Sequence, residues 1–260
     1  MTTDRPERRG FLTIVGLGPG ADEWRTPEVS AVLADATDLV GYQTYLDMVP
    51  VRLAPDATRH ASDNREEARR AAAALDLAAD GRRVAVVSSG DPGVFAMAAA
   101  VMEQLDRDDP PMAWVNVEVV VTPGITAAQA AAARAGAPLG HDFAVISLSD
   151  NLKPWSLIQQ RLEAAAGADF VLALYNPASR HRPWQLPEAL EIIGRHRKAE
   201  TPVVIGCDVG RPGETVRVVG LGGLDPSEVD MRTVLIVGSS TTRTFIDPSG
   251  TTRTYTPRHA

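Results

Sequence analysis

The stretch Phe11-Leu-Thr-Ile-Val-Gly-Leu-Gly-Pro-Gly20 joins an apolar run of strand length to a glycine-rich loop. The next helix is predicted to begin at Thr26-Pro27-Glu28, because threonine caps helices, proline suits the first helical position and glutamate suits the positive end of the helix dipole. Further along the chain, valine-rich runs of strand length alternate with alanine-rich helical stretches. This alternation predicts an α/β fold in which helices cover a parallel sheet.

The remaining elements divide the chain into two parts. In the first part we predict strands at 11–15, 38–42, 83–88 and 115–121, and helices at 64–80 and 94–105. In the second part we predict strands at 143–148, 170–175, 202–206, 215–219 and 233–237, and helices at about 155–166 and 185–197. Since no helix separates the last strands, an antiparallel pair is expected there. The prediction is a mainly parallel sheet in residues 1–124, a mixed sheet in residues 125–245 and an extended tail over residues 246–260.

Composition excludes several classes of protein. The 260 residues carry a net charge of −7, which argues against a broad nucleic-acid-binding face, since neutralising phosphates needs a basic surface. Cys207 is the single cysteine, so neither an internal disulfide nor a multi-cysteine metal site is expected. No apolar run approaches the ~20 residues of a membrane helix, and the polar, basic residues 1–10 are unlike a secretory signal. We expect a protein of the reducing cytoplasm.

The loop Gly16-Leu-Gly-Pro-Gly-Ala21 matches the dinucleotide-binding pattern G-x-G-x-x-[GA]. A dinucleotide site needs a helix that begins inside the motif, with its free N–H groups facing the pyrophosphate. Here Pro19 and Gly20 interrupt any helix, and the second strand ends in Gly41-Tyr42-Gln43 instead of the expected acid. A nicotinamide site, a tight turn that carries the chain out of the sheet, and a site for another small molecule are the alternatives.

Three more glycine- or proline-containing loops follow predicted strands: Ser89-Gly-Asp-Pro-Gly93, Thr122-Pro-Gly-Ile-Thr-Ala127 and Tyr175-Asn-Pro177. In open α/β sheets, ligands bind outside the carboxyl ends of the strands, so such loops together make a cleft for a small molecule. With the first loop, their order resembles the tetrapyrrole methyltransferase family over about residues 11–240.

Further segments are similar to one branch of that family, which methylates C17 of precorrin-3B or of cobalt-factor III. These segments are Gly41-Tyr-Gln-Thr-Tyr-Leu46, Gly140-His-Asp-Phe-Ala-Val-Ile-Ser-Leu-Ser-Asp150 and Asp208-Val-Gly-Arg-Pro-Gly213.

The resemblance implies two α/β domains with S-adenosyl-L-methionine in the cleft between them, leaving as S-adenosyl-L-homocysteine. It also implies cofactor-binding residues on the loops: Pro19, Ser89, Gly90, Asp91, Val94, Thr126, Ala127, Tyr175, Asn176 and Gly210. The sulfonium carbon is already activated, so methyl transfer needs mainly in-line placement, and no metal is required.

The branch implies methylation of C17 of precorrin-3B and contraction of the macrocycle to precorrin-4, a step of cobalamin biosynthesis. Contraction requires proton movement, so a general acid or base is expected. The candidates are Asp150, Ser149, His141, Tyr42, Gln43 and Asp47. Gln43 stands where related members have a carboxylate and cannot act as a base, which leaves the proton-transfer residue unassigned among these candidates. The resemblance also implies that Gln43 and Tyr45 bind substrate.

Two of these candidates have structural alternatives. The alternative for His141 is that it forms a satisfied pair with Asp142 at the start of a strand, and the alternative for Asp150 is that it caps a helix before Lys153-Pro154.

The acetate and propionate groups of such a substrate need a local cationic patch on this acidic protein. Asn176-Pro-Ala-Ser-Arg-His-Arg182 supplies Arg180 and Arg182, and arginine binds carboxylates in bidentate fashion; the alternative is a solvated loop. Arg65, Arg69 and Arg70 lie among glutamates and are interpreted as a solvated helix face. Trp155 and Trp184 are interpreted as packing residues.

The expected partners are a small tetrapyrrole substrate and, from the family, a second copy of the chain, with neither nucleic acid nor membrane. The competing functions are methylation of another corrin position, or of a protein or RNA, a nicotinamide-dependent oxidoreductase, and a non-catalytic binding module.

Overall fold

The computed structural model describes residues 10–63, 66–179 and 182–259. In these ranges the strands, β1 to β13 in chain order, are Phe11–Gly16, Asp38–Tyr42, Thr58–Ser62, Arg83–Ser88, Glu118–Thr122, Gly136–Ala137, Phe143–Ser147, Val171–Tyr175, Pro202–Cys207, Thr215–Gly220, Thr233–Val237, Arg243–Ile246 and Thr252–Tyr255. The α-helices, α1 to α7, are Pro27–Asp35, Gln43–Asp47, Glu67–Ala79, Met97–Leu105, Ala127–Ala135, Trp155–Gly167 and Gln185–Gly194. One compact unit ends at Thr126 and the second begins at Ala127.

The first unit is built on a five-stranded parallel sheet with the strand order β3-β2-β4-β1-β5. Leu12 and Ile14 of β1 face α3 and α4, where they join Leu75 in one aliphatic cluster. On the opposite face Val15 packs with Leu33 of α1 in a second cluster. Because helices cover both faces, the central strands are apolar almost throughout. The predicted parallel α/β architecture is confirmed.

The second unit has a mixed sheet with the strand order β10-β9-β11-β8-β7. β7 and β8 pair in parallel, whereas β11 is antiparallel to both β8 and β9, and β10 is antiparallel to β9. α6 and α7 pack on one face through a cluster that includes Leu162, Leu172 and Leu186. α5 packs on β9, β10 and β11. The predicted mixed sheet with antiparallel late strands is confirmed.

Strand direction decides which loops share an edge. In the first unit all five strands are parallel, so the loops after β1, β4 and β5 leave from one edge of the sheet. In the second unit β8 and β9 are both antiparallel to β11 and therefore run the same way as each other and as β7. The loops after β7, β8 and β9 consequently leave from one edge as well.

Local signals explain most of the helix boundaries. The hydroxyl of Thr26 accepts a hydrogen bond of 3.2 Å from the N–H of Val29, which confirms the predicted cap of α1. α4 begins at Met97 and not at residue 94, because Phe95 has a φ of 53° and Ala96 is extended. Within the described residues, no helix has the length and apolar character needed to cross a membrane.

Two regions differ from the prediction. β3 is a mostly exposed edge strand made of Thr-Arg-His-Ala-Ser, and this polar sequence carries no apolar signal. The second is a hairpin over residues 243–255, which includes most of the predicted tail: β12 pairs antiparallel with β13, and β13 pairs in parallel with β6. The hydroxyls of Thr242 and Thr256, 2.8 Å apart, tie the two ends of this hairpin together.

Gly206 of β9 allows α5 to lie directly on the sheet. A Cβ at this position would lie 2.8 Å from Cβ of Ala131 and 3.0 Å from Cγ2 of Val209. We expect Gly206→Ala to lower the free energy of unfolding by about 1–3 kcal/mol, as overpacking does in a close-packed core. Urea denaturation followed by circular dichroism measures this loss. Gly223→Ala is the control, because no atom lies within 4 Å of its added Cβ, and an equal loss in both variants would contradict the packing argument.

Candidate active site

The three glycine loops of the first unit meet at the carboxyl edge of its sheet. The N–H of Gly18 donates to the carbonyl of Gly90 at 3.1 Å, and the N–H of Gly90 donates back at 2.8 Å. Both residues have positive φ, 73° and 71°, which is the left-handed region that favours glycine. The third loop closes against them, because a Cβ at Gly124 would lie 2.6 Å from the carbonyl oxygen of Gly16. The loops therefore form one backbone cluster.

Asp91 holds the second and third loops together. Its Oδ1 accepts a hydrogen bond from the N–H of Gly93 at 2.8 Å, and its Oδ2 accepts one from the N–H of Gly124 at 3.0 Å. Asp91 is also the only acidic residue in the segments 16–21, 88–96 and 122–126. The loop cluster therefore carries a single carboxylate, and both of its oxygens accept N–H groups of the chain. Direct contact of Asp91 with the cofactor stays a prediction.

The other predicted cofactor residues of the first unit lie on the same loops. Pro19 is buried in the first loop, while Ser89 and Val94 are half-buried in the second. Gly90 forms the bridge to the first loop, and Thr126 ends the third. The structure therefore gathers these residues at one edge of the sheet.

The aromatic corner at the end of β2 lies at the same edge, because β2 is the neighbour of β4. The rings of Tyr42 and Tyr45 are 5.5 Å apart in an edge-to-face arrangement. The amide of Gln43 donates to Asp47 at 2.7 Å. Four predicted catalytic or substrate residues thus lie close together in the structure.

The nicotinamide interpretation of the first glycine loop is wrong. The loop is followed by a 3-10 turn at Asp22–Trp24, and α1 begins only at Pro27. A pyrophosphate site needs a helix that begins within the motif, and here the first free N–H groups of a helix are several residues away.

In the second unit, Tyr175 and Asn176 end β8 and connect three elements. The Tyr175 hydroxyl accepts a hydrogen bond of 2.8 Å from the N–H of Ala128, in the first turn of α5, which begins at Ala127. Asn176 has a φ of 51°, and its amide donates to the hydroxyl of Ser147 at 2.9 Å. The predicted residues Ala127, Tyr175 and Asn176 are therefore brought together.

Asp150 and Ser149 follow β7 at this edge. The Asp150 Oδ2 accepts a hydrogen bond of 3.1 Å from Nε2 of Gln185. The alternative that Asp150 caps a helix is wrong, because α6 begins at Trp155 after Pro154 and has no side-chain cap. The Ser149 N–H donates to the Ser147 hydroxyl at 3.3 Å.

Arg182 is buried and does not form a surface cation, contrary to the prediction. Only 8% of it is exposed, and its guanidinium donates to the carbonyls of Leu148 at 3.4 Å and Asn176 at 3.1 Å. Burial lowers the pKa of the Arg182 guanidinium, and the nearby Asp150 charge opposes that shift. Arg182 thus anchors the loops after β7 and β8. Arg180, the other predicted substrate residue, lies outside the described residues.

Two predicted residues are placed less favourably for direct contact. His141 lies before β7, at the opposite end of the strand from Asp150, and its Nδ1 accepts the N–H of Asp142 at 2.8 Å. This geometry favours the satisfied pair at the strand start. Gly210 follows β9 with a φ of 80°, but its N–H already donates to Glu214 at 2.7 Å.

Sequence analysis missed two buried polar side chains at these edges. Arg70, interpreted as solvated, is only 4% exposed and donates to the Ser62 hydroxyl at 2.7 Å and to Sδ of Met97 at 3.3 Å. Burial lowers the pKa of the Arg70 guanidinium, against the opposing charge of Glu67. Gln185 is 1% exposed.

The helical spacing of apolar residues indicates that both side chains are buried. Arg70 shares a helix face with Ala74 and Ala78, and Gln185 shares one with Ala189 and Ile193, all of which are buried. The rings of Trp155 and Trp184 pack edge-to-face at 5.1 Å, in agreement with their interpretation as packing residues.

The chain is similar to known methyltransferases in both sequence and structure. Residues 12–225 match the family described as Tetrapyrrole (Corrin/Porphyrin) Methylases. A protein of Sinorhizobium sp named precorrin-3B C(17)-methyltransferase is 52% identical over 249 residues, covering 96% of each chain. The crystal structure of the methyltransferase CobJ superimposes with a TM-score of 0.88 at 47% identity, over 95% of this chain and all of that one.

This chain matches only part of one longer relative. The cobalamin biosynthesis protein CobIJ of Mycobacterium tuberculosis (strain ATCC 25618 / H37Rv) is 55% identical over 253 residues. That match covers 96% of this chain but 48% of the relative, so the chain spans about half the length of the first curated relatives that it matches.

Replacing Asp91, the carboxylate that clamps the second and third loops together, tests whether the loop cluster binds the cofactor. Asp91→Asn keeps one acceptor but loses the second, so we expect the affinity for S-adenosylhomocysteine to fall about tenfold, the effect of losing one hydrogen bond to a charged group. Isothermal titration calorimetry measures the Kd. Asp76→Asn on α3 is the control, because the oxygen of the asparagine can still accept the indole N–H of Trp114. An unchanged Kd for Asp91→Asn would contradict a role of Asp91 in cofactor binding.

Proposed function

Since the chain belongs to the tetrapyrrole methylase family, we propose that it transfers the methyl group of S-adenosyl-L-methionine to C17 of precorrin-3B, with contraction of the macrocycle to precorrin-4 in cobalamin biosynthesis. The observation that carries the proposal is the loop cluster joined by the Gly18–Gly90 bridge and the Asp91 clamp. The choice of substrate is supported by the Sinorhizobium relative, which is similar over nearly its whole length.

The loop cluster suits the cofactor in its tight packing and in its charge. A Cβ at Gly16 would lie 2.6 Å from the carbonyl oxygen of Gly90, and one at Gly124 would lie 2.3 Å from the same oxygen, so glycines let the three loops pack closely and hold their main-chain groups at one edge of the sheet. The single carboxylate, Asp91, accepts two N–H groups. A site of low net charge favours loss of the sulfonium charge during transfer, because a strongly anionic site would stabilise the charged cofactor over the neutral thioether product.

Each part of the chain has a separate task in the proposed reaction. When bound, S-adenosyl-L-methionine supplies an electrophilic methyl carbon. The loops of the first unit hold it in place, and orientation of this kind contributes about 7–11 kcal/mol to lowering a barrier. The substrate gains a methyl cation and loses one proton. We assign acceptance of that proton to Asp150, a half-buried carboxylate at the carboxyl end of β7.

The proposal extends to substrate binding, assembly and location. Arg180 is proposed to bind a substrate carboxylate, since Arg182 is engaged by the protein's own carbonyls. We propose a homodimer working in the cytoplasm, on the basis of the family resemblance. Light scattering after size exclusion should then give about twice the chain mass of 27.7 kDa, and a mass equal to one chain would contradict the dimer.

The reaction itself is tested with methyl-labelled cofactor and two substrates. We expect precorrin-3B to be converted to a ring-contracted, labelled product, identified by mass and NMR. Labelling of cobalt-factor III alone would shift the proposal to the cobalt-containing substrate. Label in neither substrate would contradict the proposed function.

Removing the proposed base should slow the reaction without weakening cofactor binding. We expect Asp150→Asn to lower kcat about 10²–10⁴-fold, the usual contribution of a general base. The Kd for S-adenosylhomocysteine should stay at the wild-type value. His141→Asn is the comparison, because His141 lies at the other end of β7 and its loss should leave kcat near that of the wild type. A fall in kcat confined to His141→Asn would reverse the assignment.

A further inference from the structure

Gln185 is a buried amide whose position is tied to Asp150. It is the first residue of α7 and is 1% exposed. Its Nε2 donates to Oδ2 of Asp150 at 3.1 Å. Within the described ranges its Oε1 is buried and has no hydrogen-bond partner.

This arrangement is unfavourable for stability alone. A buried amide carbonyl without a partner loses its hydration and gains nothing in return, so an apolar side chain of the same size would suit the site better. α7 receives no side-chain cap at its first turn, so Gln185 is not needed to begin the helix. What Gln185 does provide is one donor for Asp150.

The contact also decides which oxygen of Asp150 is available. Oδ2 is held by Gln185, while Oδ1 accepts no hydrogen bond from any of the described residues. A carboxylate held at one oxygen keeps its orientation and leaves the other oxygen open to accept a proton. The backbone just before Asp150 is also constrained, since Arg182 donates to the carbonyl of Leu148.

We propose that Gln185 is a positioning residue for proton transfer, which holds Asp150 through Oδ2 and leaves Oδ1 to accept the proton that the substrate loses. This inference rests on the proposed function. The methyl transfer balances: the C–S bond of the sulfonium breaks, the substrate carbon gains the methyl group, the thioether leaves neutral and the proton moves to Oδ1. Gln185 does not contact the reacting atoms in this scheme and acts only through Asp150.

The test compares Gln185→Met, Asp150→Asn and the double variant in the full-length chain. Methionine matches glutamine in length and removes the unpaired carbonyl, so Gln185→Met should fold, as judged by its Tm. We expect kcat to fall roughly 10- to 100-fold, a part of the 10²–10⁴-fold contribution of a general base. KM for S-adenosyl-L-methionine and the Kd for S-adenosylhomocysteine should keep their wild-type values.

The double variant separates positioning from a structural role. If Gln185 acts through Asp150, the double variant is no slower than Asp150→Asn, because residues that act as a unit are not additive. Multiplication of the two losses, or an unchanged kcat for Gln185→Met, would overturn the inference. If Gln185→Met does not fold, Gln185→Leu enters the same cycle and is judged by the same two outcomes.

The chain offers a matched control. Gln159 of α6 donates to the Glu188 carboxylate of α7, so a glutamine–carboxylate hydrogen bond of the same type holds α7 at a position away from Asp150. Gln159→Met should leave kcat unchanged, and an equal loss of kcat would show that Gln185 matters only for helix packing. A wild-type protein that methylates neither substrate would overturn the proposed function and this inference together, whereas an active wild type with an equally active Gln185→Met would overturn only the inference.

Discussion

The candidate cofactor site depends on close backbone contact between loops that follow neighbouring parallel strands. Gly18 and Gly90 exchange two hydrogen bonds, and Gly124 packs where no side chain fits. Asp91 then joins the last two loops with one oxygen each. The constraint is steric. L-residues with a Cβ rarely adopt the left-handed φ of Gly18 and Gly90, and a Cβ at Gly124 would lie 2.3 Å from the carbonyl oxygen of Gly90. The candidate cofactor residues of the first unit are held at one edge of the sheet by this contact.

In the second unit, side chains and not glycines hold neighbouring loops together. Its loops after β7 and β8 are joined by the Ser147 hydroxyl, the Asn176 amide and the Arg182 guanidinium. A buried guanidinium has several N–H donors in a fixed plane, so it can hold carbonyls from two loops at once. This scaffold leaves Asp150 half-buried with one oxygen engaged by Gln185. A polar network therefore positions the group to which we assign proton transfer.

Tertiary packing buries two polar side chains whose burial is not evident from local charge. Arg70 and Gln185 are charged or polar by composition, yet each lies on the buried stripe of its helix. Local charge patterns indicate solvent exposure only where no tertiary neighbour covers that side of the helix. The motif predicts that Asp91 contacts the cofactor, but it does not reveal the hydrogen bond between Asp91 and Gly124, because that partner lies 33 residues away. β3 was missed because its polar edge position gives no hydrophobic period.

The sequence alone determined the alternation of strands and helices, the parallel first sheet, the cap at Thr26 and the family, because these depend on local propensity, hydrophobic period and short motifs. The tertiary structure decided which polar groups meet. It placed His141 and Asp150 at opposite ends of β7 and converted Arg182 from a predicted surface cation into a buried anchor. Hydrogen-bond partners and burial arise only when distant segments pack together, and a linear pattern of residues does not specify those distances.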